Sequence, residues 1–326
     1  MTKLIKPVRT QDAAFTYDAQ TIDSIGNFFV GELERLDPTL HEPLAAVTWG
    51  RDIDVREDVG PGDDLSSFTR SSFGSVGGTT PSGINWIGDE TTSIPRATVD
   101  IDKVAQPLRE VGYNLSYTLR ELEKSMRLGR PVDQQKLAAI QLKYQMDIDQ
   151  MVYVGDSNTF TGAQGLVNGA GITVDNVSSK WNPTSAAQMQ ADILDGQTKA
   201  WQASGYTYCP SRILLPPAQY AMLNQTNSTA GTQSVMTFIK QNNPFTQSTG
   251  QELEILPVKW LDDAGTGGKS RAVFYTKDVN LVRYPLVPLQ RSQITPQDLW
   301  LRTTYWSLLG QVEFVYPETV HYKDGI

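Results

Sequence analysis

The segment spanning residues 49–111 places the strongest constraint on how this chain can fold. Apolar and polar residues alternate towards its end, as at Val99 and Ile101, and such a period of two is typical of a β-strand. The pattern predicts a long β-hairpin. Its middle, residues 74–83 (GSVGGTTPSG), has too few apolar side chains to pack on a core of its own. We therefore expect the hairpin to be mobile unless a partner covers it.

Two helices are predicted to follow the hairpin. Thr118 and Glu121 have the three-residue spacing of a capping box, and Gly129 is placed to end that first helix. A second helical pattern starts at Pro131 and continues to Gly155, which gives roughly 22 residues and a length of ~33 Å at ~1.5 Å per residue. The apolar residues of this pattern recur at intervals of three and four: Leu137, Ile140, Tyr144, Ile148 and Met151.

The rest of the chain mixes helix and strand signals, so the predicted class is α+β. Helices are predicted at residues 185–203, after Pro216, and at residues 234–241. Strands are predicted at residues 212–215, 254–256, 272–275 and 311–316. At the other end, residues 1–48 are interrupted by Pro38 and Pro43 and are predicted to be an arm with a helix around residues 22–36.

Composition narrows the classes of function. The 326 residues carry a net charge of −8, whereas proteins that grip nucleic acid present a basic face, so contact with DNA is expected to be weak. No stretch approaches the ~20 apolar residues of a membrane helix, and the first residues contain no apolar signal-peptide run. We therefore expect no contact with a membrane and synthesis in a cytoplasm.

A glycine-rich segment resembles a phosphate-binding loop only superficially. Residues 263–270 (DAGTGGKS) place Asp263 where that loop has its first glycine, and this carboxylate would repel a phosphate. Strand-like residues follow Ser270, where a phosphate loop needs the N-terminus of a helix. A glycine-rich hairpin tip is the favoured interpretation.

Other candidates for chemistry are also discounted. His41 and His321 lie at opposite ends of the chain without companions, and the single cysteine, Cys209, precedes a predicted strand as a core thiol would. Six acids lie close together in the predicted hairpin: Asp52, Asp54, Glu57, Asp58, Asp63 and Asp64. A hydrolase using two of them stays open as a remote alternative, but solvated or interface charge is favoured because catalytic pairs are built on rigid elements. No catalytic, cofactor or metal residue is therefore assigned.

Several stretches, in their order, carry a family resemblance. They are residues 93–99 (SIPRATV), 117–122 (YTLREL), 149–156 (DQMVYVGD) with 162–168 (GAQGLVN), and 316–326 (YPETVHYKDGI). Together with the predicted order of elements, they resemble the major capsid proteins of tailed bacteriophages, which have the Hong Kong 97 type capsid fold. The resemblance implies an N-terminal arm (1–48), an extended β-hairpin loop (49–111), a peripheral domain with a long spine helix (112–183), an axial domain (184–281) and return strands of the peripheral domain (282–326).

The resemblance also implies a function. Copies of the chain would assemble, in a host bacterial cytoplasm, into pentamers and hexamers of an icosahedral shell that encloses double-stranded DNA in the virion. Implied partners are other copies, a separate scaffolding protein and a portal, with only weak, non-specific proximity to the packaged DNA; a decoration protein is left open. An encapsulin-like nanocompartment shell is the alternative. No cofactor and no enzymatic activity are implied. We also expect no large N-terminal pro-domain to be removed, because only about 48 residues precede Trp49.

Charge suggests how copies would meet. Residues 50–102 contain ten acidic residues against four arginines, a net charge of −6, whereas residues 103–143 contain eight cations against four acids, a net charge of +4. The two segments are complementary, so the hairpin is predicted to dock on a neighbour's spine region. The candidate interface residues are Asp63, Asp64, Arg120, Lys124 and Arg127.

Overall fold

The computed structural model describes residues 45–75, 89, 97–128, 132–156, 162–182, 185–225 and 233–326. The predicted helix around residues 22–36, nearly all of the predicted arm and the glycine-rich middle of the hairpin lie outside these residues. The described part belongs to a unit that begins at Ala45. Among its helices, none combines the length and the apolar composition that a membrane span requires.

The described residues form helices and strands in an α+β arrangement, as predicted. The helices are α1 (Trp49–Asp52), α2 (Leu119–Leu128), α3 (Val132–Tyr153), α4 (Ala186–Ala203), α5 (Pro217–Met222), α6 (Val235–Gln241) and α7 (Pro244–Thr249). The strands are β1 (Asp54–Arg56), β2 (Leu65–Ser75), β3 (Ala97–Pro107), β4 (Arg109–Thr118), β5 (Thr173–Asn176), β6 (Arg212–Leu215), β7 (Glu254–Pro257), β8 (Arg271–Tyr275), β9 (Val282–Arg291), β10 (Thr295–Gln297), β11 (Trp300–Leu309), β12 (Glu313–Phe314) and β13 (His321–Asp324).

Local signals account for α2 and α3. The backbone N–H of Thr118 donates to the Glu121 carboxylate at 3.1 Å, and the N–H of Glu121 donates to the Thr118 hydroxyl at 3.1 Å, which completes the predicted capping box. Helix α3 has the predicted 22 residues. The chain leaves it at Gly155, whose φ of +74° lies in the left-handed region that glycine adopts without a Cβ penalty.

Three sheets organise the strands. A six-stranded sheet has the order β1-β9-β11-β10, with β12 paired to β9 and β4 paired to β11. A five-stranded sheet has the order β5-β13-β8-β6-β7, and β2 and β3 form a separate two-stranded ribbon. The end of α3 packs between the two larger sheets, where Ile148, Val152 and Tyr153 share a buried cluster with Tyr275 and Tyr284. A second cluster around Met189 and Ile193 of α4 covers the five-stranded sheet.

The strand prediction at residues 311–316 was largely wrong. Only Glu313 and Phe314 pair with β9, because the chain turns into a 3₁₀ segment at Pro317–Thr319. The last strand is β13, which pairs with β5 and β8. Its Asp324 forms a buried ion pair with Arg271 of β8 at 2.6 Å. Its residues, HYKD, are mostly polar and therefore lacked an apolar strand pattern.

Candidate interaction surface

The β2–β3 ribbon is the described part of the predicted hairpin. Its strands pair in antiparallel register from Leu65 opposite Pro107 to Ser75 opposite Ala97. Val99 and Ile101, two residues apart and thus on one face, are 64% and 68% exposed. We call these two residues the apolar stripe. The single subunit therefore leaves these two apolar side chains exposed.

The six acids that were predicted to lie close together in the hairpin do not form one cluster in the structure. Asp52 is fully buried in the body of the protein, where Tyr153 donates a hydrogen bond to it and Arg51 pairs with it at 2.6 Å. Asp54 pairs with Lys277 at 3.1 Å. Placing Asp52 in a mobile hairpin was wrong because residues 49–56 form α1 and β1, which pack on α3 and β9.

Two of the candidate acids do lie at the base of the ribbon. Asp63 and Asp64 are exposed just before β2, and the Asp63 carboxylate accepts a hydrogen bond from the Gly60 N–H at 2.7 Å. Farther along, Asp100 and Asp102 are exposed on β3. Because successive side chains of a strand point to opposite faces, these two acids lie on the face opposite the apolar stripe.

The candidate cations lie on α2. Arg120, Lys124 and Arg127 are spaced by four and three residues, so they share one helical face, and all three are exposed. Within the described residues, none of them forms an ion pair. Their neighbour Glu121 instead pairs with Lys136 of α3 at 3.3 Å, and its pKa is lowered by the Thr118 N–H and then by Lys136. The α2 cations are thus available to an external partner.

An apolar surface adjoins these cations. Leu119, Leu299 and Trp300 are 45%, 69% and 43% exposed, and the Leu119 N–H donates to the Leu299 carbonyl at 3.1 Å. We call these three residues the apolar ridge. Sequence reasoning missed it, because Leu299 and Trp300 come next to the start of α2 only through the pairing of β11 with β4. Their one sequence signal was two adjacent large apolar residues after the turn at Asp298.

The glycine-rich segment is a tight turn, as predicted. The Gly265 N–H donates to the Lys269 carbonyl at 2.7 Å, and Gly267 and Gly268 both have positive φ. The Thr266 N–H is already bound to the Asp324 carboxylate at 2.9 Å, and β8 follows directly. The turn therefore lacks the helix that a phosphate loop requires.

The isolated cysteine and histidine are not arranged for chemistry. Burial raises the pKa of the Cys209 thiol to about 11, which disfavours the reactive thiolate. His321 is 2% exposed; burial lowers its pKa, against the opposing effect of Asp175 at 3.3 Å. Among the described residues, no group of three His, Cys, Asp or Glu side chains is placed to hold a metal ion.

Comparison with known proteins identifies similar chains. The profile of a family described as "Major capsid protein" matches residues 83–326. No curated protein matches the chain.

Solved structures share the fold. The capsid of Myoviridae phage XM1 aligns with a TM-score of 0.74 at 16% identity, covering 91% of this chain and 98% of that chain. The capsid of a native GTA particle aligns with a TM-score of 0.61 at 13% identity, covering 90% and 96%. A chain from Gordonia phage Cozz aligns with a TM-score of 0.56 at 12% identity, covering 99% of both.

Proposed function

This chain belongs to the major capsid protein family, and from that premise we propose that its copies form pentamers and hexamers of an icosahedral shell around double-stranded DNA. The chain is a structural subunit of a phage capsid with the Hong Kong 97 type fold, located in the virion. The family match does not favour the encapsulin-like alternative. The main support for assembly is the β2–β3 ribbon, because its apolar stripe is exposed in the single subunit.

The proposal extends to architecture and partners. We assign residues 1–48 to the arm, 49–111 to the extended loop with its first residues, 49–56, packed on the body, 112–183 and 282–326 to the peripheral domain, and 184–281 to the axial domain. The shell acts without catalysis and without a cofactor. The other proposed partners are a separate scaffolding protein and a portal. The net negative charge of the chain limits adhesion to the packaged DNA.

Copies are joined, in this proposal, by the hairpin of one subunit lying over α2 of the next. Asp63 and Asp64 of the hairpin face the α2 cations Arg120, Lys124 and Arg127. The charges are opposite, and all five side chains are exposed in the single subunit. Complementary charge of this kind steers the encounter and fixes the register of the contact.

Apolar contact supplies the rest of the interface. The apolar stripe on β3 is an exposed surface of the same chemical kind as the apolar ridge beside α2, and burying both removes large side chains from water. Exposed ion pairs contribute only ~0–1 kcal/mol each and are screened within ~8 Å at physiological salt. The apolar contact therefore provides most of the affinity and the charges provide the orientation.

Electron microscopy of the expressed protein, with a scaffolding protein supplied, tests the assembly. We expect closed, uniform particles of megadalton mass. Light scattering that detects only monomers or dimers under the same conditions would contradict the proposal.

The shell is expected to lack covalent cross-links between subunits. Some proteins of this fold join a lysine on the extended loop to an asparagine on a neighbour. Here the outer part of that loop has no lysine, because none occurs between Lys6 and Lys103, and Lys103 itself lies opposite Thr69 at the base of the ribbon. Particles boiled in denaturant should therefore run as one band near 36.1 kDa on a gel. A ladder of multimers would show that another residue supplies the nucleophile.

A further inference from the structure

A single buried carboxylate lies where the ribbon joins the body. Glu313 of β12 is fully buried, and its carboxylate pairs with Arg283 of β9 at 2.7 Å and with Arg56, at the end of β1, at 3.3 Å. Ser66 of β2 donates a hydrogen bond to the same carboxylate. Strands from the body and from the ribbon thus meet at one charged group. We call Glu313, Arg56, Arg283 and Ser66 the hairpin clamp.

The next residues of β2 are held by the same group of side chains. Arg56 donates to the Ser67 carbonyl at 3.0 Å, and the Phe68 ring, 8% exposed, has the Arg283 guanidinium 5.9 Å from its centroid. Arg70 lies 5.4 Å from the same ring and donates to the Phe314 carbonyl at 2.6 Å. These are the last contacts of β2 with the body that the described residues show.

Beyond Arg70, the ribbon side chains that the structure describes are exposed. Ser71 on β2 and the run 98–103 on β3 are all exposed. The ribbon is therefore held to the body at residues 66–70, and the apolar stripe lies beyond these contacts. Ile101 lies opposite Ser71 and Val99 opposite Phe73, so the stripe begins one residue beyond the base and its direction follows that of residues 66–70.

The clamp depends on charge as well as on packing. Arg56 also pairs with exposed Asp58 at 2.6 Å, but among the described residues Glu313 is the only carboxylate within ion-pair distance of Arg283. Without the negative charge of Glu313, the Arg56 and Arg283 guanidinium groups would stay near each other without their shared partner, and removing one member of a buried pair is strongly unfavourable.

We propose that Glu313 is a positioning residue for assembly: it fixes the direction in which the hairpin leaves the body, so that the apolar stripe reaches the neighbouring copy in register. This inference rests on the proposed contact between the hairpin and α2. It adds that the angle of the hairpin is set inside the subunit, by one buried carboxylate, before any neighbour binds.

Hydrogen exchange of the unassembled subunit tests the clamp separately from the interface. Ser66→Ala leaves both arginines paired with Glu313 but removes two hydrogen bonds: the one that the Ser66 hydroxyl donates to Glu313 and the one that it accepts from Arg56 at 3.0 Å. We expect the amides of residues 66–70 and their β3 partners to exchange about tenfold faster, as follows from losing hydrogen bonds to charged groups. Glu313→Gln should have a larger effect on the same amides. Exchange in the β4–β11 pair should change less than twofold in Ser66→Ala.

Two controls match these variants. Ser71→Ala lies on the same strand beyond the clamp, and Glu318→Gln removes an exposed carboxylate from the same chain segment; both should leave exchange within twofold of wild type. Unchanged exchange at 66–70 in Ser66→Ala, or an equal rise in β4–β11, would overturn the clamp. Because no neighbour is present, a failure of the proposed hairpin-to-α2 contact cannot produce either outcome.

Discussion

Reversing two α2 cations, Arg120→Glu with Arg127→Glu, is expected to reduce the yield of closed shells at least about tenfold while leaving the subunit folded. Both side chains are exposed, so the stability of the subunit should change by no more than ~0.5 kcal/mol. The substitutions turn attraction for the acidic hairpin into repulsion. A change on the order of 1 kcal/mol per contact recurs at every subunit boundary of a ring. Size-exclusion chromatography and electron microscopy measure the yield.

The same charges provide a rescue. Adding Asp63→Lys with Asp64→Lys to the α2 variant restores opposite charges across the proposed contact and should recover part of the yield. The defect should also shrink at high salt, because exposed charges are screened. Lys180→Glu with Lys269→Glu is a matched control, since it makes the same change in net charge at two exposed lysines on loops flanking β5 and β8 and should assemble as wild type.

The reversal experiment can also reject the contact. If the two-site variant assembles normally at low salt, or if the four-site variant is no better than the two-site variant, hairpin-to-α2 pairing is wrong. A control variant that fails as badly would show that net charge alone, and not the location of the charges, sets the yield.

Elements with local signals were predictable from sequence. The capping box at Thr118 and Glu121 and the apolar period of α3 involve residues within a few positions of one another, so no tertiary knowledge is needed. The helices predicted after Pro216 and at residues 234–241 were found for the same reason. The glycine-rich turn at residues 263–270 was recognised because strand-like residues follow it.

The proposed interaction surfaces were harder to predict. The apolar ridge and the hairpin clamp each combine residues far apart in the chain, as with Ser66 and Glu313. The pairing of β11 with β4 forms the ridge, and the pairings of β9 with β1 and β12 bring the clamp residues of the body together. Glu313 has no pattern that would distinguish it from a surface acid. Asp52 was misplaced for the same reason, since its burial depends on contacts with α3 and β8.

The exit of α3 explains one of the sequence stretches that carried the family resemblance. Residues 162–168 fold back on the last turn of the helix, where the N–H groups of Leu166 and Val167 donate to the carbonyls of Val152 and Tyr153 at 2.7 and 3.0 Å. These bonds satisfy helix carbonyls that otherwise lack partners. The loop can approach so closely only because residue 165 is glycine.

Gly165→Ala is therefore expected to destabilise the unassembled subunit by ~3 kcal/mol or more. A Cβ at this position would lie 2.2 Å from the Tyr153 carbonyl oxygen and 2.6 Å from the Val154 nitrogen. Both are backbone atoms, so no side-chain rotation relieves the clash, and overpacking of this kind costs at least the usual ~1–3 kcal/mol. That is a large part of the ~5–15 kcal/mol that stabilises a typical protein, so soluble expression should fall as well.

Denaturant unfolding of the unassembled subunit measures this loss. Gly50→Ala is the matched control: the same methyl group is added in α1, where nothing lies within 4 Å of the new Cβ, and stability should stay within ~0.5 kcal/mol of wild type. An unfolding midpoint for Gly165→Ala equal to that of Gly50→Ala would mean that the loop does not pack against the end of α3 as closely as the structure shows. A selective loss at Gly165 would instead show that this glycine is needed for packing at the end of α3, where residues of the two larger sheets share a buried cluster.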